Sequence, residues 1–308
     1  MSNIFSMIFN PDFLFTAIRV TTPILFAALA CMMFYKGGVD AIGTEGIMLL
    51  SSLAGVIAGH YTKSFVLGVI LGGLFGSFIS IVYVILTNVL RSNDILAGVA
   101  VNTFANGITV FILLLLTGEK GSSQNLPSPV VPNINIPIIK DIPILGDIIS
   151  GHSLLTYVAV LFVILSFIFL YKTAKGLQIR SAGLNYKALE SVGIDVLKVR
   201  YLSAGIAGFF AGLGGVFMSM SYINNFTRGM VAGRGFIGMA AEGMGRGNPF
   251  GVAASSLLFG AVDALSIQLQ GMNIPARLIQ SIPYIMTIVV ISLYSYINKK
   301  NIERKEGK

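Results

Sequence analysis

Residues 172–200 read KTAKGLQIRSAGLNYKALESVGIDVLKVR, a basic stretch that separates two apolar runs at 153–171 and 201–222. Each run is close to the roughly 20 residues that a helix needs to cross a bilayer. The stretch carries six of the chain's 21 basic residues, and the tail 298–308 carries five more. Because positively charged loops stay on the cytoplasmic side of a membrane, we expect both segments to be cytoplasmic.

The composition of the whole chain indicates an integral membrane protein. Of its 308 residues, 55% are hydrophobic and 11% are charged, with a mean hydropathy of +0.82, whereas soluble domains carry about 25% charged residues. Glycine-rich runs allow close helix packing. We predict one transmembrane domain over residues 1–308, an all-α polytopic bundle of about 8–10 helices. The predicted spans lie at 13–35, 44–61, 65–87, 94–117, 153–171, 201–222, 249–270 and 277–297.

The segment 235–247, GFIGMAAEGMGRG, is too short to cross the membrane as a whole helix. If 172–200 and the tail are both cytoplasmic, the chain crosses an even number of times between them, yet only three full spans lie there. The segment must therefore cross or re-enter, which is tolerated only where it lines a cavity or is buried in protein. We predict a broken helix at a pathway wall and an N-terminus on the outer side.

The stretch 118–152 then falls on the outer side. It contains five of the ten prolines, with two basic and three acidic residues. Prolines stiffen a chain, so we expect an ordered external loop rather than a linker.

Polar side chains inside spans are costly, so each needs a role. Asn102 and Asn106 are four residues apart and share a face of a predicted helix. They bind either a transported compound or a neighbouring helix. Glu45 lies near the start of a span, where it either caps that helix or faces the pathway.

Glu242 lies inside the broken segment, with Arg234 and Arg246 near the ends of that segment. It either forms an ion pair with one of these arginines or couples transport to protons. The stretch 37–50, GGVDAIGTEGIMLL, shares glycines, an acid and a methionine with 233–247, which suggests an internal duplication. The candidate pathway residues are Glu45, Asn102, Asn106, Arg234 and Glu242.

The sequence contains no glycine–lysine loop of the kind that binds phosphate, so any use of ATP requires a partner. Cys31 lies in an apolar run and predicts packing. His60 and His152 each lack a second ligand at metal spacing. We expect no enzymatic activity, metal or bound cofactor, and the clustering of the net charge of +8 indicates a cytoplasmic face rather than nucleic-acid binding.

Three motifs, in this order, resemble the permease subunits of bacterial ABC importers, in the branched-chain amino acid, ribose and nucleoside group. They are GVDAIGTEGIMLL (38–50), LQIRSAGLNYKALESVGIDVLKVRYLSAGIAGFFAGLGG (177–215), and AGRGFIGMAAEGMGRGNPFG (232–251) followed by LLFGAVDAL (257–265). The resemblance covers about residues 21–294 and is nearest to the nucleoside or simple-sugar type.

The resemblance implies a multi-pass protein of the bacterial inner membrane that imports nucleosides or related ribosyl compounds by alternating access. Its implied partners are cytoplasmic ATPases, a second permease and an extracytoplasmic binding protein or lipoprotein. Nucleoside-type systems commonly pair two different permeases, so a heteromer is expected. ATP would be used by the partner ATPase alone.

The basic stretch also predicts a short helix, with Asn185 as N-cap and Gly193 as the left-handed end. In the resembling permeases this helix docks into a groove of the ATPase, with the pattern acid, two alanines, three variable residues and glycine. Ala188 and Gly193 match this pattern, whereas Lys187 and Leu189 depart from it. The predicted coupling residues are Asn185, Lys187, Ala188, Glu190, Ser191 and Gly193.

Other functions stay open. Simple sugars, riboflavin and branched-chain amino acids are alternative substrates for such a permease. An ion- or proton-coupled secondary transporter is the alternative from another class, and it would need Glu45, Glu242 or Asp263 to titrate in the pathway. A membrane-embedded enzyme is disfavoured because histidine, aspartate and serine do not cluster at the span ends.

Overall fold

The computed structural model describes residues 11–137 and 145–270, together with Ile285. The fold is almost entirely helical. The helices are α1 (Pro11–Lys36), α2 (Thr44–Thr62), α3 (Phe65–Val84), α4 (Asp94–Thr117), α5 (Leu145–Ile149), α6 (Leu154–Lys172), α7 (Ala174–Leu184), α8 (Tyr186–Ser191), α9 (Val196–Phe217), α10 (Arg234–Gly245) and α11 (Pro249–Leu269). The π-helical segments Ile85–Val89 and Met218–Tyr222 continue α3 and α9. The strands β1 (Asn133–Ile134) and β2 (His152–Ser153) pair antiparallel.

Among the described residues, six helices are long and apolar enough to cross a membrane. They are α1, α4, α6, α11, and α3 and α9 with their π-helical ends. The all-α membrane fold is therefore confirmed, and α2 occupies the predicted run at 44–61. α9 begins five residues before its apolar run, because Asp195 caps it by accepting a hydrogen bond from the Lys198 amide. The predicted span at 277–297 and the basic tail lie outside the described residues.

α1 is the central helix. Residues 20–34 are all buried, and no charged residue lies between Arg19 and Lys36. The hydroxyl of Thr21 donates to the carbonyl oxygen of Ala17 at 2.7 Å, which satisfies it within the helix. α1 packs against α9, α10 and α11, and it is the scaffold on which the candidate site is built.

Glycines let α3 and α9 pack backbone to backbone. A Cβ on Gly76 would collide with the carbonyl oxygen of Gly208, and a Cβ on Gly208 would collide with that of Gly76. Across the same interface, Ser80 Oγ donates to the carbonyl oxygen of Ala204 at 2.6 Å. Close approach of this kind supplies the packing energy that helices need within lipid.

The loop after α4 is held to the end of α9 by main-chain hydrogen bonds. The Val131 amide donates to the carbonyl oxygen of Met220 at 2.9 Å, and Ser122 forms an isolated β-bridge with Thr227. β1 and β2 pair the middle of the same loop with the residues that directly precede α6. These contacts hold the described part of the loop against the helices, and its outward orientation stays a prediction.

Candidate translocation pathway and coupling surface

α10 is the broken helix that the glycine pattern predicts. Its 12 residues extend about 18 Å at 1.5 Å per residue, well short of the roughly 30 Å hydrocarbon core of a bilayer. Gly233 precedes it with φ of 81°, and Arg246 and Gly247 follow it with φ of 54° and 63°. Left-handed residues at both ends stop the helix, so α10 is a separate short element.

Glu45 caps α10 rather than its own helix. Its Oε1 accepts a hydrogen bond from the Gly233 amide, and its Oε2 accepts one from the Gly235 amide, both at 2.8 Å. This corrects the expectation that Glu45 caps the helix in which it lies, because the structure gives α2 no side-chain cap. The carboxylate satisfies two otherwise unpaired amides and complements the positive end of the α10 dipole. Gly235 must be glycine, because a Cβ would lie 2.7 Å from the Glu45 backbone.

Asn102 joins α4 to the start of α2. Its Oδ1 accepts a hydrogen bond from the Gly46 amide at 2.7 Å, and its Nδ2 donates to the carbonyl oxygen of Ile42 at 2.9 Å. Of the two predicted roles, the structure thus gives Asn102 the bond to a neighbouring helix. Asn106 is exposed on α4, where its Nδ2 donates to the carbonyl oxygen of Asn102 at 2.9 Å.

Arg234 pairs with Asp263 of α11, which corrects the predicted pairing of Arg234 with Glu242. The guanidinium lies 3.1 Å from the Asp263 carboxylate. The guanidinium groups of Arg19 and Arg234 also lie 4.9 Å and 5.9 Å from the ring centroid of Tyr222, within the range of cation–π attraction. The pathway candidate Arg234 therefore joins α10 to both α9 and α11.

Glu242 is buried on α10 and lies near Lys36, the last residue of α1. A Cβ on Gly247 would be 2.5 Å from Lys36 Nζ and 3.5 Å from Glu242 Oε1, which places the two charged groups within about 6 Å of each other. A buried carboxylate needs such a counter-charge. Sequence reasoning missed Lys36, although a lysine followed by two glycines at the end of an apolar run was a usable signal.

α8 has the predicted caps. Asn185 Oδ1 accepts a hydrogen bond from the Ala188 amide at 3.4 Å, and Gly193 has φ of 76°. Leu189 is buried and fixes the helix to the protein. The predicted coupling residues are all exposed, namely Asn185, Lys187, Ala188, Glu190, Ser191 and Gly193.

Neighbouring groups hold α8 against the ends of two spans. The Arg200 guanidinium donates to Asn88 Oδ1 in the π-helical end of α3 and lies 5.7 Å from the ring centroid of Tyr186. After α8, the backbone amide of Lys198 lowers the pKa of Asp195, which favours the charged form of the cap on α9. The segment is thus a folded surface rather than a loose loop.

Within the described residues, no group of three or more histidine, cysteine, aspartate or glutamate side chains is arranged to hold a metal ion. Cys31 is buried, with its Sγ 3.6 Å from Thr44 Oγ1. A ring nitrogen of His60 lies 2.8 Å from the carbonyl oxygen of Pro127, and one of His152 lies 2.8 Å from that of Ile148. These residues have structural contacts.

Residues 13–291 match the family described as "Branched-chain amino acid transport system / permease component". The chain belongs to this permease family. The permease is 31% identical over 285 residues to the nucleoside ABC transporter permease protein NupC of Lactococcus lactis subsp. cremoris, with 89% of each chain covered. It is 32% identical over 296 residues to the guanosine ABC transporter permease protein NupQ of Bacillus subtilis, with 92% of each covered. It is 26% identical over 320 residues to TsgC13 of Haloferax volcanii, a provisionally named glucose ABC transporter permease, with 96% of this chain and 95% of that one covered.

The protein is thus an ABC transporter permease of the nucleoside and sugar type. The six candidate spans among residues 11–270 make this permease a multi-pass protein of the inner membrane. Its relatives are transporter permeases, whose role is not enzymatic. A permease of this kind works with an ATP-binding subunit and a substrate-binding protein.

Proposed function

We propose that this permease forms the pathway by which nucleosides or related ribosyl compounds enter the cell, driven by a separate ATPase. The names of NupC and NupQ support this substrate class. Simple sugars are the second candidate, because TsgC13 is named for glucose. The permease itself would bind no cofactor and catalyse no reaction, since ATP would be used by the partner.

The free face of α4 supports a pathway beside this helix. α4 packs mainly against α2, and the polar side chains of Thr103 and Asn106 are exposed on it. Polar groups turned toward lipid are costly, so this face is better suited to a water-filled pathway or to a second permease. The Asn106 amide retains its carbonyl oxygen and one N–H, which suit a ribose hydroxyl or a base edge.

The surface of α8 carries the proposal that an ATPase drives transport. Tyr186 is the first residue of this helix and Leu184 and Val192 flank it, and the three side chains are 44%, 88% and 68% exposed, respectively. Large apolar side chains gathered on one exposed segment mark a protein contact. Leu189 is buried and holds α8 against the rest of the protein. A force applied to the exposed face of α8 can therefore be transmitted without detaching the helix. We expect this face to dock into a groove of the ATPase.

The remaining expected partners are a second permease and an extracytoplasmic binding protein or lipoprotein. The second permease is expected to be a different chain. The extracytoplasmic binding protein or lipoprotein would meet the ordered loop at 118–137 and the connection at 223–231, where Asn224 and Arg228 are exposed.

The decisive experiment is uptake into proteoliposomes that contain this permease with its co-purifying partners. Labelled uridine and adenosine are the substrates, and ribose, riboflavin and leucine are the competitors. We expect uptake that requires ATP on the ATPase side and is not reduced by competing ribose or leucine. Uptake that ignores ATP but follows a proton gradient would contradict the proposal and favour a secondary transporter.

A matched pair of variants tests the docking surface. Val192→Asp places a charge in the exposed apolar patch and should lower ATPase binding and ATP-driven uptake by at least about tenfold. Val130→Asp makes the same change at an exposed position in the loop after α4 and should leave ATPase binding unchanged. Equal ATPase binding by both variants would remove α8 as the docking site.

A further inference from the structure

The last turn of α1 packs against α7 with backbone directly against backbone. A Cβ on Gly183 of α7 would lie 2.7 Å from the carbonyl oxygen of Tyr35 and 2.6 Å from that of Lys36. On the other side of this contact, Gly38 has φ of 73°, and a Cβ added to Gly38 would lie 3.0 Å from the carbonyl oxygen of Ala182. No side chain fits between the two elements, so a displacement of α7 cannot be absorbed by a rotamer change.

The same turn of α1 touches the end of α10. Gly247 has φ of 63°, and the side chain of Lys36 fills the space where a Cβ of Gly247 would stand. Glu242 is 8% exposed, and its Oε1 lies within about 6 Å of the Lys36 ammonium. Arg246 and Gly247 are both left-handed, so α10 joins α11 through a sharp turn at the point where Lys36 makes contact.

A third contact holds this turn from the side of α9. Ser203 Oγ donates to the carbonyl oxygen of Met33, and a Cβ on Gly37 would lie 2.6 Å from Ser203 Cβ. The turn is therefore confined by α7, α9 and the α10–α11 connection. A well-packed element of this kind transmits a push rather than dissipating it.

We propose that Lys36 is a positioning residue that passes the movement of α7 and α8 to α10 through the attraction between its charge and that of Glu242. The inference rests on the proposed drive by an ATPase and names the route by which that drive reaches the broken helix. Movement of α8 shifts α7, the Gly183 contact shifts the end of α1, and Lys36 shifts the α10–α11 turn. α10 responds as one short unit because it ends in left-handed residues on both sides.

The test measures three quantities in proteoliposomes containing the complete complex: bound ATPase, ATP hydrolysed, and uridine taken up per ATP. Gly183→Ala inserts a methyl group between α7 and α1, and Lys36→Met removes the charge that faces Glu242. We expect both variants to keep ATPase binding but to lower uptake per ATP by at least about fivefold. Gly205→Ala, on α9 with open space around it, is the matched control and should leave all three quantities unchanged.

Charge exchange separates positioning from simple damage. Lys36→Glu alone should lose uptake per ATP, and the double variant Lys36→Glu with Glu242→Lys should recover most of it. Unchanged uptake per ATP in Gly183→Ala and Lys36→Met, or no recovery in the double variant, would overturn the inference while leaving drive by an ATPase in place. ATP-independent uptake by the unaltered complex would overturn the proposed drive itself, and this route with it.

Discussion

The guanidinium of Arg234 lies 3.1 Å from the carboxylate of Asp263, and the two side chains are only 12% and 16% exposed. This pair joins the first residue of α10 to the middle of α11. Arg234 was one of the two predicted ion-pair partners of Glu242, and it pairs with Asp263 instead. Arg234 Nε has no hydrogen-bond partner, so the buried guanidinium depends on the Asp263 carboxylate for much of its stabilisation.

Replacing Asp263 with asparagine should destabilise the protein. The Asp263→Asn variant removes the carboxylate that lies 3.1 Å from the buried Arg234 guanidinium, and breaking a buried ion pair in this way costs about 3 kcal/mol. Thermal unfolding in detergent should show a lower midpoint. Asp147→Asn, the same change at an exposed acid on α5, should alter stability by less than about 0.5 kcal/mol. Equal midpoints for the two variants would show that the buried pair contributes nothing to stability.

Substitutions at Glu45 should loosen the start of α10. Glu45→Gln keeps one acceptor oxygen for the amides of Gly233 and Gly235 but turns an N–H toward the other amide, and Glu45→Ala removes both acceptors. We expect a loss of about 1–2 kcal/mol for glutamine and more for alanine. Hydrogen exchange at these two amides should become faster in the same order, with α6 unaffected. Unchanged exchange in the alanine variant would contradict the cap.

Two glycines on α9 should respond oppositely to the same mutation. Gly208→Ala forces a methyl group against the Gly76 backbone and should cost about 1–3 kcal/mol or more. Gly205→Ala meets no atom within 4 Å and should be neutral or slightly stabilising, since alanine favours helix by about 1 kcal/mol. Thermal midpoints of the two purified variants measure the difference. Equal effects would mean that α3 and α9 pack less closely than described.

His152 should make the protein less stable in acid. Its ring stacks on Phe15 with centroids 4.1 Å apart, and burial lowers the pKa of His152. The unfolded chain binds a proton at this histidine near pH 6.5, whereas the folded protein resists protonation until the pH is lower. Stability should therefore fall as the pH drops below about 6.5.

The corresponding measurement is the thermal midpoint across that pH range. The His152→Gln variant keeps an N–H for the carbonyl oxygen of Ile148 but has no ring to protonate. We expect the decrease between about pH 7 and about pH 5 to be smaller in this variant than in the unaltered protein. An identical decrease in both proteins would assign the acid sensitivity to other groups.

The spans and the short helix α8 could be predicted because their causes are local. α4 begins and ends where its apolar run does, and α8 begins directly after Asn185 because that side chain caps it by accepting a hydrogen bond from the Ala188 amide. Broken helix α10 was visible from its glycines. Each of these features depends on neighbours within a few residues along the chain.

The partners of the charged residues could not be predicted in the same way. Glu45 binds amides 188 and 190 residues further along the chain, and only the packing of α10 against the start of α2 brings them together. Arg234 had acids both on its own helix and on α11, and the sequence does not rank them. Lys36 lies near Glu242 only because the chain turns at Gly247, which brings the end of α10 against the end of α1.

The bonds from Asn102 to Gly46, and from the adjacent Glu45 to Gly233 and Gly235, have a genetic consequence. A loss-of-function substitution at Asn102 would displace the start of α2 and, with it, the carboxylate that holds α10. Second-site suppressors of such a substitution should then arise around residues 229–235, far from the original lesion in the primary sequence. A selection for regained transport would therefore map the interior of the protein without any structural measurement.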